Sequence, residues 1–185
     1  AMERAERLGR ASPEELERLQ YVPEGEKLAA KYLWNECPLA EELNKYEEKV
    51  RGLLVQGAEE VLLKNIDLPR TDVLQRAGEK AMEGLRALKK DGAMLDKVYA
   101  KIANIFEHYQ QQGESQRQEA YEALKRDFQV RLQQALQQQG LPVGARVDVE
   151  SHPQFQEQWR RVSAQLDSQY LQLLDGYKKE IASIL

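Results

Sequence analysis

Cysteine is nearly absent from the chain, histidine occurs twice, and neither sign of charge is in marked excess. A single thiol, Cys37, excludes an intramolecular disulfide and any cysteine-rich metal site, and it points to a reducing, cytoplasmic setting. Neither His108 nor His152 has a carboxylate three residues upstream, so the Glu-x-x-His unit of di-iron bundles is missing, as is His-Glu-x-x-His. The glycines are scattered, with no phosphate-cradling loop and no dinucleotide fingerprint, so neither a cofactor nor a metal is expected. Apolar runs such as Leu53-Leu54-Val55 and Val61-Leu62-Leu63 fall far short of the ~20 residues of a membrane span. With no signal peptide ahead of them, a soluble protein without membrane contact is expected. Lys and Arg number 27 against 31 Asp and Glu, divided 16 to 19 over residues 1–92 and 11 to 12 beyond, so neither half forms a basic surface for nucleic acid. The doublets Lys89-Lys90, Arg160-Arg161 and Lys178-Lys179 sit near carboxylates and read as solvated helix faces.

Periodic hydrophobicity is what the chain does have. Phe155, Trp159, Val162, Leu166, Tyr170, Leu173, Tyr177, Ile181 and Ile184 recur at steps of three and four. Their eleven-residue repeat predicts a long, nearly straight helix, capped by Ser151 and Gln154. Residues 93–139 contain no proline and predict a second helix of ~70 Å. Gly113 is then tucked against a large partner residue; a kink at Gln112-Gly113 is the competing reading. Of twenty glutamines, seventeen follow residue 109 and read as helical surface, because Leu124, Phe128 and Leu132 keep the helical period. Between the two helices Val143, Ala145, Val147 and Val149 alternate with Gly144, Arg146 and Asp148, which reads as a short strand over 143–149. Folding back about a connection centred near residue 145 sets Val162 against Phe128, Tyr177 against Gly113 and Ile181 against Tyr109.

Upstream, Ser12-Pro13-Glu14-Glu15 is a capping box that opens a short helix to about Gln20. Tyr21 to Gly25 reads as a break and Glu26 to Trp34 as another short helix. One helix is expected from Leu39 to Asn65, and another, capped by Asp72 and Gln75, to Lys90. The stretch Tyr21-Val22-Pro23-Glu24-Gly25-Glu26-Lys27-Leu28 resembles segments of bacterial helical proteins, a likeness that implies no function.

These elements predict an all-α fold: an elongated helical bundle with a long antiparallel helical hairpin (93–139 and 151–185) and the short strand at its tip. Residues 1–37 are expected as short N-terminal helices, 38–109 with 170–185 as the bundle, and 110–169 as a projecting coiled-coil-like hairpin, where the stripes narrow to the width of one partner. No residue set specifies a reaction, so the expected function is non-catalytic: a protein–protein interaction or scaffold protein using the hairpin for docking or self-association. A homo-oligomer is expected, a dimer first, because a two-helix arm buries little apolar surface on its own. The residues assigned to contact are Val143, Arg146, Val147, Val149, Phe155 and Trp159, with the tip also offering its edge to another protein. The alternative is a small molecule or peptide held by Tyr99, His108, Tyr109 and Tyr177 in a cleft at the base of the hairpin.

Overall fold

The computed structural model describes residues 12–138 and 148–184. The tip residues Val143, Arg146 and Val147, and with them most of the expected strand at 143–149, lie outside the described residues. Among those described the fold is all-α: α1 (Pro13–Leu33), α2 (Leu39–Asn44), α3 (Glu48–Lys64), α4 (Asp72–Leu88), α5 (Gly92–His108), a π-helical turn (Tyr109–Gly113), α6 (Glu114–Gln138) and α7 (Pro153–Ser183). The chain divides into two compact units, Ala1–Ala103 with Asp175–Leu185, and Asn104–Leu174.

In the first unit, α1 starts on the expected capping box: Ser12 Oγ accepts from the Glu15 amide at 3.2 Å, and Glu15 Oε2 accepts from the Ser12 amide at 2.7 Å. It does not stop at Tyr21–Gly25, as the proline and glycine there had led us to expect. Pro23 lies inside the helix and withdraws the donor that would bond the Leu19 carbonyl. The reason the helix persists is its contact with α3. A Cβ on Gly25 would fall 2.0 Å from the Leu54 carbonyl oxygen, and one on Gly57 2.0 Å from that of Val22. The helices thus cross backbone to backbone, with Leu28, Ala29, Leu54, Ala58 and Leu62 buried around the crossing. This packing outweighs the local breaking tendency, as tertiary contacts commonly do with helix propensity.

The helix expected from Leu39 to Asn65 is two. After Asn44 the chain turns through an extended Glu47, and Arg51 Nη2 donates to the Tyr46 carbonyl at 3.0 Å, satisfying an acceptor in the break. The caps of two other helices also differ from expectation. Thr71 rather than Asp72 caps α4, its hydroxyl accepting from the Leu74 amide at 3.3 Å. Before α7, Ser151 is held by Asp148, and His152 Nδ1 accepts from the Gln154 amide at 3.3 Å.

The last turns of α7 belong to this unit, and there Lys178 is half-buried. Burial holds its ammonium below the ordinary lysine range, against the pull of Asp67 and Asp175. A lysine whose folded pKa is depressed costs stability while it is charged, and that cost fades as pH rises through the folded pKa toward the unfolded value of ~10.4. Lys178→Met should therefore raise the urea midpoint at neutral pH, and the gain should shrink in alkaline buffer. An equal gain at both would show that packing, not charge, limits this position.

In the second unit, the chain from Asn104 through α6 packs antiparallel to α7. Phe128 packs on Phe155 with centroids 5.7 Å apart, and Tyr121 meets Phe155 and Trp159 edge-on at 5.6 and 5.0 Å. The register differs from expectation. Phe128 faces Phe155 instead of Val162, and Gly113 faces Tyr170 instead of Tyr177. Both shifts are seven residues, two helical turns, after which a stripe stepping by three and four presents the same face again. Tyr109 likewise meets Tyr170 rather than Ile181, a shift equal to the eleven-residue repeat of the stripe itself.

Candidate functional site

The second unit is organised around the π-helical turn. Tyr109, Gly113, Arg117 and Tyr121 follow at steps of four, and each such step in an α-helix overshoots a full turn by ~40°. Three steps would carry the seam ~120° away from α7. One wider turn absorbs part of that drift and keeps Tyr109 and Gly113 both buried. Gly113 is then neither a kink nor an ordinary helical position. A Cβ there would lie 3.3 Å from the Tyr170 hydroxyl and 3.4 Å from Arg117 Nη1, so the wide turn and the missing side chain together seat Tyr170.

Around Tyr170 the interior is polar. The Arg117 guanidinium lies 4.2 Å from the centroid of the Tyr109 ring, and Tyr170 meets the same ring edge-on at 5.1 Å. Arg117 Nη2 is 2.6 Å from Glu114 Oε2, and Nη1 is 3.6 Å from Oδ1 of Asp167, which is only 5% exposed. The Arg117 charge is what allows a carboxylate to sit so deep. Tyr170 also shares a 2.8 Å hydrogen bond with His108 Nδ1.

This hydrogen-bonded pair lines a groove of about 780 Å³. Its apolar wall is Ile105 from α5 with Val162, Leu166 and Leu173 from α7; Leu173 is 50% exposed. Its remaining polar residues are the amides Asn104, Gln116, Gln165 and Gln169. Among the described residues no Lys, Arg, Asp or Glu lines it. Such a surface can bind an apolar body flanked by uncharged hydrogen-bonding groups. The thiol of Cys37 lies in the other unit, where burial, reinforced by the Glu42 charge, pushes its pKa up, away from the activated-nucleophile range. Among the described residues no group of three or more His, Cys, Asp or Glu could hold a metal ion, and no helix is long and apolar enough to cross a membrane.

Of the residues singled out from sequence, Val149 and Phe155 are buried with Phe128 in the core near the hairpin tip, and Trp159 is half-buried on Tyr121. They hold the hairpin together. His108 and Tyr109 lie at the groove and beneath it, but Tyr99 and Tyr177 belong to the other unit. The Tyr99 hydroxyl donates to the Met82 carbonyl at 2.6 Å, and the Lys101 ammonium stands 5.4 Å from the Tyr177 ring centroid. The groove residues Gln165 and Gln169 escaped sequence reasoning altogether. Val162, Leu166 and Leu173 were visible only as members of one stripe, in which Phe155 and Trp159 lie on the seam with α6.

Residues 40–183 match the model of a family of unknown function, DUF6657, and the chain belongs to that family. No curated protein and no solved structure matches it.

Proposed function

We propose that this protein is a non-catalytic interaction or scaffold protein, and that the groove of the helical hairpin is its docking surface for an apolar helix. The observation that carries the reading is an uncharged apolar trough in a chain of which 31% of residues are charged. Val162, Leu166 and Leu173 follow one another by four and seven residues, extending the trough over ~16 Å of helix, three turns of a partner helix. Their partial exposure leaves apolar area that a partner would cover. A cytoplasmic location belongs to the same proposal, since Cys37 is free and has no cysteine to pair with.

Photo-cross-linking tests it. The probe p-benzoylphenylalanine in place of Leu173 should give polypeptide adducts, whereas the same probe in place of the equally exposed Val130 on α6 should give few. Equal yields from the two positions would remove the groove as a docking surface. A second reading, a small molecule or short peptide in the same groove, is favoured by its volume, which lies inside the ~300–1,000 Å³ range of ligand sites. Native mass spectrometry separates the two: a low-mass ligand held one per chain supports the second.

A further inference from the structure

We infer that the occupant of this groove is a second copy of the chain, with α7 lying antiparallel to α7 of its twin across a two-fold axis near residues 167 and 168. The inference rests on the groove being a docking surface, and it names the partner by the chemistry of the rim. In a two-fold interface the same patch faces itself, so a residue beside the axis meets its own copy or a near neighbour. A rim charged with one sign would then set like charges together and repel the twin. A carboxamide carries both donors and an acceptor, so amides can pair with amides. The rim follows that requirement: Asn104, Gln116, Gln165 and Gln169 are all amides, and none of the ten lining residues is Lys, Arg, Asp or Glu. Were the lining drawn at the 31% charge of the whole chain, about three of the ten would be charged.

The spacing of the groove agrees with the axis. Residues whose numbers sum to about 334 or 335 face each other when α7 meets its antiparallel copy there. Gln165 of one chain then opposes Gln169 of the other, and Val162 opposes Leu173. Amide meets amide and aliphatic meets aliphatic, each contact made twice. The two Leu166 side chains come together beside the axis, filling the middle of the apolar wall.

The experiment uses the full chain and two double variants at exposed helical positions, Gln165→Lys with Gln169→Lys, and Gln165→Glu with Gln169→Glu. Sedimentation equilibrium should find the unaltered protein dimeric at high micromolar concentration, and each double variant alone should self-associate about a hundredfold more weakly. Mixing the two variants, one of them isotope-labelled throughout, should restore a dimer containing one chain of each, identified by a mass midway between those of the two homodimers. Circular dichroism checks that both variants remain helical. Dimers that tolerate both double variants, or a mixture that forms no mixed dimer, would overturn the inference. A monomeric protein whose Leu173 probe still cross-links to a different polypeptide would overturn the second copy as partner and leave the docking surface standing. A monomer that carries a low-mass ligand in the groove would overturn both.

Discussion

Gly57→Ala should destabilise the protein by about 3–5 kcal/mol, at the high end for a single added methyl group, because the clash is with main chain. The new Cβ would start 2.0 Å from the Val22 carbonyl oxygen and 2.9 Å from its carbon, where no rotamer change can relieve the overlap. Relief requires α1 and α3 to separate, loosening Leu28, Leu54, Ala58 and Leu62 at once. Gly25→Ala should behave alike, its Cβ meeting the Leu54 carbonyl at 2.0 Å. The opposite sign is expected at Gly52 and Gly176, both inside helices, where an added Cβ meets nothing within 4 Å. Alanine there should stabilise by roughly 0.5–1 kcal/mol, through the helix-interior preference for alanine and the lower entropy of the unfolded chain. Urea titrations followed by circular dichroism compare the four variants directly. Equal stability of Gly57→Ala and Gly52→Ala would mean that the helices do not touch at this crossing.

The same glycines show where sequence reasoning stops. Gly25 follows Pro23-Glu24, and every local rule reads that trio as punctuation. What keeps α1 continuous is a carbonyl on another helix about thirty residues away, and no window around Gly25 contains it. Local signals with local partners were legible. The Ser12 capping box appears as read, and the all-α class followed from steps of three and four along nearly the whole chain. Register was not legible, because a stripe repeating after seven or eleven residues fits its partner equally well at several offsets. Phe128 could be matched to Val162 or to Phe155 by pattern alone, and the length of the connection was the sole arbiter.

The groove was hidden for a related reason. Phe155 and Trp159 lie on the seam, Val162, Leu166 and Leu173 line the groove and Tyr170 borders both, yet all six form one apolar row when written as sequence. Their separation depends on which side of α7 the neighbouring chain covers, and the π-helical turn at Tyr109–Gly113 helps to set that. The clue available in advance was the late concentration of glutamine, since Gln116, Gln165 and Gln169 form most of the amide rim.

Lys89→Met should be the most damaging single change of a charged residue, costing about 3–5 kcal/mol. The Lys89 side chain is only 7% exposed; its Nζ lies 2.8 Å from Glu59 Oε1 and donates to the Ile184 carbonyl at 2.7 Å. One ammonium therefore neutralises a carboxylate of α3 that is only 16% exposed and binds a carbonyl beyond the end of α7, where the helix dipole also favours a cation. Methionine matches the volume of the stem and supplies neither contact, so Glu59 is left charged without its partner. Replacing Glu59 as well removes that stranded charge. Lys89→Met with Glu59→Met should then recover much of the loss, and a double-mutant cycle from urea titrations would give the coupling. No recovery in the double variant would place the cost in packing of the lysine stem rather than in the ion pair.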